Sequence, residues 1–275
     1  MLTRVITSVV ALCVLVPVLI LSDTWVFPIA VAVCCFIADY EMLKCIGALK
    51  KTLLSSPLLA LSFALPITVR SCEALESFCL SFMAVALLVL LYLLAVLVFS
   101  KGSIGVEAIS VASVMSFYVT FGFSSIVLLH DFFALGKYTY LLVFVGAWIT
   151  DVFAYFCGKL FGKHKLIPEV SPKKTVEGSI GGTLFSGIAF VVFGLIIKSI
   201  ENDTYQGYLQ LFVFGLVAAL VAQIGDLCMS ALKRHYGIKD FGNVFPGHGG
   251  MLDRFDSILA VAIVLLIMNA LVVNI

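Results

Sequence analysis

The chain has 275 residues, 62% of them hydrophobic and 12% charged, with a formal net charge of +1. A soluble domain carries about a quarter charged residues, so the composition excludes a water-facing surface. The near-zero charge leaves no electrostatic footprint for nucleic acid. Apolar runs of the roughly 20 residues that cross a bilayer recur along the whole length, and helices satisfy their own backbone hydrogen bonds in lipid. The expected fold class is therefore all-α, a polytopic transmembrane helical protein.

In chain order the expected spans are 5–22, 25–38, 53–69, 78–100, 104–129, 138–161, 179–197, 208–230 and 257–274, nine in all. The second is short, and Pro17 with Pro28 leaves open a re-entrant or interfacial hairpin for the first two. The first run is expected to stay as a span, because no small-residue cleavage site follows it. Lys and Arg accumulate in loops that remain cytoplasmic. With the N-terminus inside, fourteen of the seventeen fall on that side and only Arg70, Lys137 and Lys198 fall opposite. The bias predicts an odd number of spans, N-in and C-out.

Residues 1–100 hold almost no polar constellation and read as scaffold; residues 101–275 read as a catalytic region with cytosolic loops 159–182 and 231–256. The eight cysteines show no metal-ligand spacing and read as small apolar residues. Glu107, Asp151 and Asp226 lie in or at the ends of spans, where carboxylates mark a functional site or a buried pair. Glu107 beside Lys101 reads equally well as an interfacial residue, whereas Asp151, Tyr155 and Gly158 share one helix face.

Loop 159–182 contains Ser171, Lys173, Lys174 and Glu177 before a span expected from Ser179. Paired lysines leading into a helix N-terminus suit a bound anion, with a topology-fixing basic loop as the alternative. The next span ends with Asp226, Ser230 and Lys233 at i, i+4 and i+7, one polar stripe. Five glycines between positions 237 and 250 permit close backbone approach to a ligand. Asp253 and Asp256, with Arg254 between them, then project one way from the start of the last helix. Carboxylates converging from separate helices are the oxygen ligands of a Mg²⁺ that also binds phosphates; a salt-bridged cluster packing two helices is the other reading. Histidines 130, 164, 235 and 248 have no zinc spacing, and neither a Gly-x-Ser-x-Gly elbow nor a P-loop occurs.

The run Ser230-x-Leu232-Lys233-Arg234, then Lys239-Asp240-x-Gly242, then Pro246-x-His248-Gly249-Gly250-x-x-Asp253-Arg254-Phe255-Asp256 resembles the signature of the CDP-diacylglycerol synthases, the phosphatidate cytidylyltransferase family. Residues 148–158 and 171–178 resemble further family motifs, with Val176 where an aromatic is expected. The resemblance implies a Mg-dependent nucleotidyltransferase that makes CDP-diacylglycerol and pyrophosphate from CTP and phosphatidate. It also implies a homodimer of multi-pass subunits in a bacterial-type inner (plasma) membrane, with the active site facing the cytoplasm.

On this reading Asp226, Asp253 and Asp256 hold one or two Mg²⁺ ions, with a monovalent cation as a further option. Lys233, Arg234 and Arg254 complete the catalytic set by binding phosphates. Ser171, Lys173, Lys174, Glu177, Ser230, Lys239, Asp240, His248, Gly249 and Gly250 contact substrate. Glu177 either orients the lysines or adds a metal ligand, and His248 reads as a hydrogen-bonding, loop-fixing residue. The competing functions are a CTP-dependent polyprenol or phytol kinase and, from another class, an anion transporter.

Overall fold

The computed structural model describes residues 2–133, 135–201 and 207–272; the side chain of Arg4 and the expected span end at Asn274 lie outside the described residues. The elements are α1 (Leu2–Ile20), α2 (Val26–Cys45), α3 (Thr52–Ser71), α4 (Leu75–Phe99), α5 (Val106–Asp131), the short α6 (Gly136–Thr139), α7 (Leu141–Phe161), β1 (Lys165–Ile167), β2 (Ser171–Thr175), α8 (Val176–Glu201), α9 (Tyr208–His235) and α10 (Leu252–Val272). Among the described residues eight stretches are long and apolar enough to cross a membrane, α6 and α7 forming one of them, and α1 adds a shorter apolar stretch over Val9–Ile20. The chain is an all-α, multi-pass membrane protein.

Two boundaries differ instructively from those expected. The second span does not stop at Ala38: α2 continues to Cys45 with Asp39 and Glu41 buried inside it. A carboxylate can stay in a helix in an apolar setting when it is hydrogen-bonded, and Ser116 Oγ donates to Asp39 Oδ1 at 2.6 Å. Within the expected loop 159–182, Lys165–Ile167 and Ser171–Thr175 pair as the antiparallel β1–β2 hairpin, and α8 starts at Val176, three residues before the expected Ser179.

Packing divides the chain into two compact units, residues 1–132 with 236–254, and residues 133–235 with 255–275. The expected division at residue 100 concerned where chemistry lies, and compactness follows a different line. In the first unit α2, α3 and α5 pack on one another. Leu43, Leu54, Leu58, Leu93 and Ile109 join α2, α3, α4 and α5 in an apolar cluster. Where α3 and α5 end, Arg70 donates through Nε and Nη2 to both oxygens of Asp131, at 3.0 and 2.6 Å. The same guanidinium reaches the Ser22 and Thr24 carbonyls ahead of α2, a planar fork filling several acceptors at once.

In the second unit α8 packs against both α7 and α9, and small residues allow the approach. A Cβ on Gly182 would stand 2.7 Å from the Thr150 carbonyl oxygen of α7, and one on Gly215 of α9 would stand 2.7 Å from the Ser186 carbonyl oxygen of α8. Without a hydrophobic force between helices in lipid, such backbone proximity provides the van der Waals gain. Gly215→Leu should therefore force α8 and α9 apart at a cost of about 1–3 kcal/mol. The measurement is thermal melting of detergent-solubilised protein. Leu220→Ala, at a half-exposed position of the same helix, should move the midpoint far less.

Candidate active site

The first unit carries a glycine-rich loop whose backbone is held by two buried carboxylates. Asp253 Oδ2 accepts the Phe241 and Gly250 amides at 2.8 and 2.9 Å. Glu41, reaching across from α2, accepts the Met251 amide on Oε1 at 3.1 Å and the Leu252 amide on Oε2 at 2.9 Å. Inside the loop the Phe245 amide donates to the Gly249 carbonyl and the His248 amide to the Phe245 carbonyl, at 2.9 and 2.8 Å. These bonds bend the chain through Gly247 and Gly249, whose φ values of 81° and 92° lie where only glycine is comfortable.

The bend borders an open cavity of about 460 Å³ lined by Lys239, Asp240, Asn243, Gly247, His248, Gly249 and Arg254. Five residues nominated from sequence as substrate-binding or catalytic, Lys239, Asp240, His248, Gly249 and Arg254, thus share one concavity that carries two cationic side chains. His248 Nδ1 lies 2.9 Å from Thr7 Oγ1 of α1, consistent with a residue that fixes the loop. Gly250 does not line the cavity; it is buried against Glu41 and donates to Asp253. Glu107 faces the start of this segment, where burial, and then the charges of Glu107 and Cys45, raise the Tyr236 hydroxyl above its ordinary range.

The second unit gathers the remaining charges. Thr175 Oγ1 accepts the Gly178 amide at 3.2 Å, capping α8. Glu177 accepts from the His164 amide, and its Oε1 lies 2.7 Å from His164 Nδ1. Glu177 therefore ties the start of α8 to His164 ahead of the hairpin. The strand alternates its side chains, so the two lysines part company. Lys173 is exposed, whereas Lys174 turns to α9 and forms an ion pair with Asp226. Asp256 on α10, 9% exposed, lies within electrostatic reach of Asp226, Lys233 and Asp151. Its helix meets α9 closely at Gly225, where a Cβ would stand 3.0 Å from the Asp256 carbonyl oxygen.

Lys233 is buried at 8% exposure two helical turns beyond Asp226, while Ser230 is half-buried and Arg234 exposed on the same α9. Ser171 opens β2. The three aspartates expected to share a metal do not form a ready-made cage: among the described residues no three His, Cys, Asp or Glu side chains converge at ligating range. A Mg²⁺ that fills its shell with phosphate oxygens and water needs only one or two protein carboxylates. Asp226 and Asp256 fit that requirement, and the Lys174 ammonium already marks Asp226 as a cation-binding carboxylate. Asp253 is occupied with loop amides.

Sequence reasoning overlooked Glu41, because a carboxylate three residues past an expected span end reads as a loop charge. The signal lay in its matching partner, a run of amides 210 and 211 residues away.

A sequence profile of the cytidylyltransferase family matches residues 2–272. The phosphatidate cytidylyltransferase of Bacillus subtilis (strain 168) is 38% identical over 182 residues, 66% of each chain. That of Thermotoga maritima is 38% identical over 156 residues, 57% of each chain. That of Aquifex aeolicus is 47% identical over 121 residues, 44% of this chain and 43% of the relative. This chain thus covers less than two thirds of the length of these relatives.

Two glycines separate backbone strain from side-chain crowding in the loop. At Gly237 (φ 68°) a Cβ would meet nothing within 4 Å, whereas at Gly249 (φ 92°) a Cβ would stand 3.0 Å from Asp253 Oδ2. Both alanine substitutions carry a left-handed backbone penalty of about 1–2 kcal/mol. Gly249→Ala should in addition speed amide exchange in peptides covering Phe241 and Gly250, which Gly237→Ala should leave protected. Equal exchange in the two variants would refute the Asp253 anchor.

Proposed function

Because the chain belongs to the cytidylyltransferase family, we propose that it is a phosphatidate cytidylyltransferase. It transfers CMP from CTP to phosphatidate and releases pyrophosphate. The observation that carries the proposal is the arrangement of charge in the second unit, where Asp226 and Asp256 are flanked by the ammonium groups of Lys174 and Lys233. Two polyanions must meet for this reaction, so the chief task is to cancel repulsion and align the reactants. The basic cavity bearing Lys239, His248 and Arg254 supports the same reading.

In the proposed step a phosphate oxygen of phosphatidate forms a bond to the α-phosphorus of CTP. The bond from that phosphorus to the α–β bridging oxygen breaks, and its electron pair leaves on pyrophosphate. The attacking monoester is already an anion, so no general base is required. Lys174 and Lys233 bind phosphate oxygens and neutralise the charge that gathers on the leaving group. Asp226 and Asp256 would hold Mg²⁺, one or two ions, which supplies Lewis-acid stabilisation of the phosphoryl oxygens. Asp253 acts on the loop through its amide bonds.

The excess of Lys and Arg in alternate connections supports a site on the cytoplasmic side of the membrane. The resemblance to the synthases supports a homodimer in a bacterial inner membrane. Purified protein given CTP, phosphatidate and Mg²⁺ should form CDP-diacylglycerol and pyrophosphate. Asp226→Asn and Asp256→Asn should each lower kcat by roughly 100-fold or more. Formation of a phosphorylated lipid with CDP would instead identify a kinase, and full activity in both variants would end the carboxylate assignment.

A further inference from the structure

We propose that Glu41 is a positioning residue for the reaction, holding the 241–252 loop and the start of α10 in register from a different span. The inference rests on the cytidylyltransferase reading for its kinetic consequence and on geometry alone for its structural one. Glu41 is 4% exposed, and each of its carboxylate oxygens takes one backbone amide, Met251 at 3.1 Å and Leu252 at 2.9 Å. Those amides are orphan donors at the N-terminus of a 21-residue helix, where no intrahelical carbonyl can reach them and negative charge is favoured.

The loop is shaped around this carboxylate. A Cβ on either Gly242 or Gly250 would collide with the Glu41 side chain, so both glycines leave the room that the acid fills. The residues immediately outside the clasp, His248, Gly249 and Arg254, line the basic cavity. Releasing the clasp moves the cavity wall and leaves a buried donor without an acceptor. Glu41 is not among the cavity-lining residues, so its influence on the reaction passes through the backbone it holds.

Glu41→Gln preserves volume but turns an amide NH₂ toward a backbone N–H, so one of the two bonds is lost. Glu41→Asp keeps the charge on a shorter reach. The Gln variant should lower kcat/KM by roughly 10- to 100-fold and raise the KM for CTP or phosphatidate. Simple loss of folded enzyme would lower apparent kcat alone. Hydrogen exchange should rise in peptides covering residues 241–252 while peptides around Arg70 and Asp131 keep their protection, and Glu41→Asp should fall between parent and Gln variant in both measurements.

Unchanged exchange in the Gln variant would overturn the clasp. Faster exchange with parental KM for both substrates and parental kcat would overturn its positioning role. An inactive parent protein would sink the cytidylyltransferase reading instead, and the exchange measurement would still decide the clasp.

Discussion

Four demands of backbone chemistry are met by two acids in the first unit: the Phe241 and Gly250 amides by Asp253, the Met251 and Leu252 amides by Glu41. A loop entering a helix at the edge of an apolar bundle presents N–H groups that neither lipid nor the helix can satisfy. Here the acceptors are charged, which makes each bond stronger than a neutral one and matches the positive end of the α10 dipole. Both acids are buried, and a buried carboxylate is costly without hydrogen-bond donors. The loop conformation and the burial of the two acids therefore require one another. The cavity that Lys239, His248 and Arg254 line inherits its shape from that mutual requirement.

The other end of the same bundle solves a related problem with the opposite charge. Arg70 closes α3 against Asp131 of α5 and against two carbonyls ahead of α2, and it lies over the Phe27 ring at 5.9 Å. A lone guanidinium there would be costly, but a fully partnered one fixes three segments in a single geometry. Between the two ends, Ser116 on α5 donates to Asp39 on α2. The helices of this unit are thus registered at three levels by polar groups, while Leu43, Leu54, Leu58 and Leu93 fill the space between without specifying register.

The second unit relies on closeness of backbone. Gly158 and Gly178 both admit Thr175, and Thr175 caps α8. A larger residue at either glycine would push the hairpin away from the helix ends. Because β2 alternates its side chains, that seating decides which lysine faces α9, and it is Lys174 that meets Asp226. About a quarter of each side chain is exposed, but the Lys174 ammonium nitrogen itself is buried against Asp226.

Sequence reading found what clusters and missed what pairs at long range. Asp226, Lys233, Asp253 and Asp256 stand out because several polar residues interrupt apolar sequence together, and helical spacing alone assigns them to faces. The eight long apolar stretches are legible for the same reason, since length and composition suffice. The end of α2 was not, because Asp39 and Glu41 look like the polar margin of a span until their partners are known. Those partners lie 77 and 211 residues away, beyond any local pattern. The hairpin was hidden too: Pro172, Lys173 and Lys174 have no marked strand preference, and their extended form goes with the pairing of β2 to β1. Local periodicity therefore recovers the helices and their charge clusters, whereas the part each acid plays depends on which partners the fold brings to it. Glu41 and Asp253 take amides of the 241–252 segment, whereas Asp226 pairs with Lys174 and Asp256 takes the amide of its own neighbour Ser257.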